Sequence, residues 1–76
     1  MIWAAMSPIE HLVAALSRAN LTQAELARRI GKRPGHIWAW INRDHRVPAE
    51  MCKAIEHATG GAVKRHELRP DIFDPP

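Results

Sequence analysis

The stretch from Thr22 to Ile41 leaves the chain little conformational choice. Thr22-Gln23-Ala24-Glu25 has the form of a capping box, in which Thr22 caps a helix and Glu25 reaches back to it. Leu26, Ala27 and Ile30 then recur at the spacing of one helical face. Gly31 follows the last apolar residue, where a residue without Cβ takes positive φ freely. Pro34 has a fixed φ suited to a first helical position, and Ile37, Trp40 and Ile41 give an i, i+3, i+4 stripe. The spacing predicts one helix of about eight residues after Thr22, too short to be stable alone. It predicts a second helix from Pro34 to Asn42, with a turn of about three residues between them. Ala27 falls where the two helices cross, and its small side chain lets them approach. Two short helices joined in this way form a helix-turn-helix.

The flanking elements are read by the same rules. Ser7-Pro8-Ile9-Glu10 starts a helix, with Ser7 as cap, Pro8 in the first turn and Glu10 closing a capping box. Ile9, Leu12, Val13, Leu16 and Ala19 mark its buried face, and Asn20 ends it by tolerating the left-handed conformation. Arg43 to Val47 read as a loop. A further helix runs from Pro48 to Thr59, with Met51, Cys52, Ile55 and Ala58 inward and Gly60-Gly61 as its stop. Val63 and Leu68 are expected on the core, Lys64 to Arg69 as one helical turn, and Pro70, Pro75 and Pro76 as breakers. No alternating strand pattern occurs. The expectation is an all-α fold of four to five helices in one domain over residues 1–76, with its core in 8–69 and a short tail in 70–76.

Size and composition narrow the function. A chain of 76 residues supports one small core and presents a surface more readily than a cavity. Cys52 is the one cysteine, so no internal disulfide forms. No apolar run is long enough to span a membrane. The N-terminal MIWAAM is too short for a signal peptide and has no basic residue ahead of it, so a cytoplasmic protein is expected. His11, His36, His45, Cys52, His57 and His66 are scattered rather than paired, so no metal site is expected. No nucleophile–base pair and no glycine loop after a strand stand out, so neither enzymatic activity nor a cofactor is expected.

Charge points elsewhere. Residues 28–46 hold Arg28, Arg29, Lys32, Arg33, Arg43 and Arg46 against Asp44 alone, more than the net +3 of the whole chain. The remainder is close to neutral. Positive charge gathered on a helix-turn-helix suggests an anionic partner, with nucleic acid first. The alternatives are a solvated helix face or an ordinary corner between two helices.

Thr22-Gln23-Ala24-Glu25-Leu26-Ala27-Arg28-Arg29-Ile30-Gly31 and Ile37-Trp38-Ala39-Trp40-Ile41-Asn42 resemble the Cro/repressor-type regulators of bacteriophages and prophages. Val47-Pro48-Ala49-Glu50, Ala58-Thr59-Gly60-Gly61-Ala62-Val63 and Leu68-Arg69-Pro70-Asp71 resemble, more narrowly, the YdaS-type Cro-like group. The resemblance implies a lambda-repressor-like fold and a bacterial or phage-encoded, nucleoid-associated transcriptional regulator. It further implies a homodimer on a pseudo-palindromic double-stranded operator. Three departures from the pattern fall on the reading surface: Lys32-Arg33 after the glycine, the opening Pro34-Gly35-His36, and Trp38 where a small polar residue is usual.

With the third helix in the major groove, Arg33, Gly35, His36, Trp38 and Ala39 are the expected base-reading residues. Arg33 offers a fork to guanine, His36 a donor, Gly35 close approach and Ala39 a methyl contact. Trp38 either packs on thymine methyls and deoxyribose, or covers the loop before helix four, or joins a protein interface. Lys32, Arg43 and Arg46 are expected on phosphates, and by the resemblance Gln23 and Asn42 bracket the backbone. Ile2, Trp3 and Met6, or Leu68, Ile72 and Phe73, are the candidate dimer contacts, unless both ends fold back on the core. The rival reading is an antitoxin with a toxin as partner.

Overall fold

The structure, a computed structural model, describes residues 7–75. The expected contacts at Ile2, Trp3 and Met6 lie outside the described residues. Five α-helices follow one another: α1 (Pro8–Arg18), α2 (Gln23–Ile30), α3 (Pro34–Ala39), α4 (Ala49–Ala58) and α5 (Arg65–Leu68). A π-helical turn, Trp40–Asp44, continues α3. No strand occurs among the described residues.

The cap before α1 is reciprocal. The Ser7 N–H donates to Glu10 Oε1 at 2.8 Å, and Ser7 Oγ accepts from the Glu10 N–H at 3.2 Å. The bond from the Ser7 backbone holds the Glu10 carboxyl below the ordinary carboxylate range. Asn20 takes the expected left-handed conformation, φ 57°, one residue past the C-cap Ala19. The cap before α2 is only half of the expected box. Thr22 Oγ1 accepts from the Glu25 N–H at 3.0 Å, but the Glu25 carboxylate turns forward to Arg28 Nη2 at 2.8 Å. A guanidinium one turn on is a stronger donor than the backbone amide of the cap. Gly31 adopts φ 74°, and the following Lys32 N–H closes the helix on the Ala27 carbonyl at 2.8 Å.

The third helix departs from its expected end at Asn42. Its α-helical part stops at Ala39, and a wider turn carries the helical path to Asp44, two residues past the expected end. His45 closes it in the left-handed region, φ 54°, which His tolerates better than most residues. The N–H groups of His45 and Arg46 both reach the Trp40 carbonyl, the latter at 3.0 Å. Arg43 and Asp44, read as loop, therefore belong to the helix. No glycine or proline marks this end, so local sequence carried no stop signal.

The core gathers residues from every helix: Leu12 from α1, Leu26 and Ala27 from α2, Ile37 from α3, Ile55 from α4 and Leu68 from α5 are fully buried. Val47, Cys52 and Val63 join them. Ala27 is wholly buried in this core, and α2 and α3 are the most closely associated helix pair. Two expectations fail. Val13 is 48% exposed, because Ile9, Leu12, Ala15 and Leu16 already fill the inward stripe of α1 and Val13 falls about 100° beside it. Leu68 is wholly buried, so it is unavailable as a dimer contact. Phe73 also packs on the core, while Ile72 stays 49% exposed. The tail is turned inward by Arg69, which donates to the Val47 carbonyl at 3.1 Å and pairs through two bonds with Asp71. No helix is long and apolar enough to cross a membrane among the described residues.

Burial separates two substitutions that the sequence pattern treats alike. Leu26→Ala removes a fully buried side chain and is expected to cost about 3 kcal/mol. Val13→Ser is expected to stay within about 0.5 kcal/mol. Urea unfolding of both variants checks this. The Glu56 carboxylate accepts from the Arg65 N–H at 2.8 Å and from Arg65 Nε at 3.1 Å. The backbone bond first, then the side-chain bond, holds Glu56 below its ordinary value of 4.5. The stabilisation is complete above 4.5 and is lost as the pH falls through the lowered folded value. Melting temperature measured against pH should therefore fall less steeply in acid for Glu56→Gln than for the unmodified chain.

Candidate nucleic-acid interface

The turn Gly31-Lys32-Arg33 leaves α2 and delivers the chain to α3 with its first residues turned to solvent. Arg33 is the N-cap of α3, and its side chain is exposed. Its backbone N–H donates to His36 Nδ1 at 3.2 Å. That bond makes Nδ1 an acceptor, so a neutral His36 carries its proton on Nε2 and presents it outward as a donor. Pro34 occupies the first helical position without wasting a donor. Gly35 follows, exposed, and a Cβ built on it would meet nothing within 4 Å. Neither packing nor backbone conformation within this chain requires a glycine there.

These residues share one shallow depression of about 500 Å³, lined by Arg33, Gly35, His36, Ala39, Trp40 and Arg43. Four of the five expected base-reading residues thus lie together. Trp38 does not line it. It is 55% exposed and stands apart from the core, and its carbonyl accepts from Asn42 Nδ2 at 3.1 Å. Two further residues line it: Trp40, expected only in the core, and Arg43, expected on a phosphate rather than beside the base-reading residues. Trp40 was read only as core, and it is buried, yet it also lines the depression. Arg43 was placed on the loop, and the π turn brings it onto the surface that α3 presents.

The cations sort into two groups. Arg29 Nη1 donates to the Ala58 carbonyl at 2.9 Å, so it ties α2 to the end of α4 and closes that helix. Arg28 is engaged with Glu25. Arg43 is held by Asp44, with Nε to Oδ1 at 2.9 Å and Nη2 to Oδ2 at 3.3 Å. Lys32, Arg33 and Arg46 are exposed and make no side-chain ion pair among the described residues. Gln23 opens α2 half-buried, where the free N–H groups of the first turn lie. Asn42 keeps one amide N–H beyond the bond it makes to Trp38. Gln23, Lys32, Asn42 and Arg46 do not line the depression. No group of three His, Cys, Asp or Glu side chains able to hold a metal ion is assembled among the described residues. The depression offers donors and an apolar floor, an arrangement suited to an anionic, edge-bearing surface rather than to bond chemistry.

Residues 20–76 match the family described as "Bacterial toxin YdaS". Over 50 residues the chain is 48% identical to a protein of Escherichia coli (strain K12) provisionally named transcriptional regulator YdaS, covering 66% of this chain and 51% of that protein. The chain therefore spans about half the length of that relative. It is 35% identical over 51 residues to a prophage transcriptional regulatory protein of Escherichia coli (strain K12), covering 67% of this chain and 77% of the relative. Among solved structures, the Cro protein of the proposed prophage element Xfaso 1 in Xylella fastidiosa strain Ann-1 is 38% identical, with a TM-score of 0.73. The match covers 92% of this chain and all of that one. None of these names describes an enzyme.

The two adjacent arginines of α2 should behave differently on substitution. Arg29→Ala loses the bond to α4 and is expected to destabilise by about 1 kcal/mol. Arg28→Ala, at an exposed pair within one helix, is expected to cost under about 0.5 kcal/mol. Chemical unfolding of the two variants side by side is the check.

Proposed function

The chain belongs to the YdaS family, and on that premise we propose that it is a sequence-specific, double-stranded DNA-binding transcriptional regulator, a Cro-like repressor acting as one domain in the bacterial cytoplasm. The observation that carries this reading is the depression on α3. Arg33, Gly35, His36 and Ala39 line it, with the exposed Lys32 on the turn leading into α3 and Arg46 after the π turn that continues it. In the major groove, the Arg33 fork bonds guanine O6 and N7, a pairing worth about 1–3 kcal/mol against the wrong base. His36 Nε2–H donates to a guanine N7 or a phosphate. Gly35 leaves room for the DNA, and Ala39 meets a thymine methyl. Trp38 lays its exposed ring on a thymine methyl or a deoxyribose.

Phosphate contacts come from Gln23, Lys32, Asn42 and Arg46, helped by the positive end of α2. One copy of so short a reading helix selects too few bases for a genomic site. Two copies about 34 Å apart on a pseudo-palindromic operator supply the rest. Because Leu68 and Phe73 are engaged with the core, Ile72 is the described residue of the earlier dimer candidates that remains available.

The family's description as a toxin keeps a second reading in view, a partner in a toxin–antitoxin pair that also regulates its own gene. The relatives named as regulators and the anion-suited depression favour the DNA reading. Site selection from random duplexes tests it. The expected result is enrichment of an inverted repeat with half-sites about one helical turn apart. Recovery of no preferred sequence would overturn it.

Two variants then sharpen the assignment. Arg33→Ala should lose preference at one guanine per half-site, read as a fall in the ratio of specific to random-duplex affinity. An equal loss on every duplex would remove it from base reading. Gly35→Ala should leave thermal stability unchanged or raise it by about 0.5 kcal/mol, since the added methyl meets nothing in the protein. In gel-shift titrations it should nevertheless weaken binding, because the methyl stands where DNA approaches.

A further inference from the structure

Asp44 is the one acid among the cations of residues 28–46, and it sits at the end of the helix that carries the reading depression. An acid beside a phosphate-binding surface repels the ligand. If Arg43 served only to meet a phosphate, a neighbouring carboxylate that neutralises it would weaken that contact. The geometry offers another use. Asp44 takes the Nε and Nη2 protons of Arg43 at 2.9 and 3.3 Å, which is the side-on fork of the guanidinium. The end-on fork, formed by Nη1 and the outer proton of Nη2, has no partner among the described residues. Arg43 lines the depression alongside Arg33 and His36. The π turn is what puts it there, since a helix ended at Asn42 would leave Arg43 on a loop.

Resting on the DNA reading above, we propose that Arg43 is a further base-reading residue, aimed at a guanine by the carboxylate of Asp44, which acts as its positioning residue. A guanidinium bonded to a carboxylate through its Nε edge is restricted in the directions its other edge can take before DNA arrives. Its remaining edge matches the paired acceptors O6 and N7 of guanine. Lysine at this position cannot substitute, because a point charge has no fork to orient. The bonds from Arg43 also hold the Asp44 carboxyl below the ordinary carboxylate range, so the pair stays ionised across the range in which DNA binding is measured.

Site selection from random duplexes with the full chain and its Arg43→Ala, Arg43→Lys and Asp44→Asn variants tests the pair. The unmodified chain should enrich a guanine that Arg43→Ala and Arg43→Lys no longer enrich, while the Arg33 guanine persists. Asp44→Asn should lower preference for that same guanine about tenfold. Its affinity for random duplex should hold or rise, because a negative charge is gone. In the Arg43→Ala background, Asp44→Asn should change base preference no further. The inference is overturned if Asp44→Asn keeps the guanine preference, if its effect adds to that of Arg43→Ala, or if Arg43→Ala weakens all duplexes alike. Failure of the unmodified chain to enrich any sequence would overturn the DNA reading and this inference together, an outcome distinct from enrichment that ignores Arg43.

Discussion

The close crossing of α2 and α3 is the constraint on which the rest of this molecule depends. Leu26 and Ala27 of α2 and Ile37 of α3 are wholly buried in the shared core. Neither helix is long enough to persist alone, so each exists because the other removes its apolar stripe from water. Gly31 supplies the positive φ that sends the chain from one to the other. Ala27 is wholly buried, so a larger side chain there would overpack this core, and a shift of α3 would move every functional side chain it carries.

The second determinant is Trp40. It is a core residue, a wall of the depression and the anchor of the π turn at once. Its carbonyl receives the N–H groups of both His45 and Arg46. That closure lets the helical path continue past Asn42 and then stop without glycine or proline. The extra residue in the turn carries Arg43 and Asp44 to the surface that α3 presents. The widened turn and the reading depression are in that sense one feature.

Charge in this protein does two kinds of work. Arg18, Arg29 and Arg69 donate to backbone carbonyls of distant segments, at Ala62, Ala58 and Val47, and hold the ends of the small core. Lys32, Arg33 and Arg46 are spared that duty and remain available to an external anion. The basic segment visible in the sequence therefore overstates the interface, because Arg29 is structural and Arg28 is paired with Glu25 within α2.

Local chemistry determined much of this from sequence alone. The capping residues, the left-handed Asn20 and Gly31, the helical starts at Pro8 and Pro34 and the stripe through Leu26, Ile30, Ile37 and Trp40 all follow from interactions within a few residues. So does the grouping of Arg33, Gly35, His36 and Ala39 on one exposed surface, since a short helix with one buried stripe must present the opposite one. Tertiary structure decided what local rules leave degenerate. Val13 lost its place in the core because four neighbours on α1 filled the available surface first. Leu68 and Phe73 were drawn inward because a core this small has no apolar area to spare. The π turn, and with it the position of Arg43, depended on the Trp40 carbonyl being held by the core where two later N–H groups could meet it. Sequence periodicity cannot count those competing partners, because they are set by which surfaces meet in space.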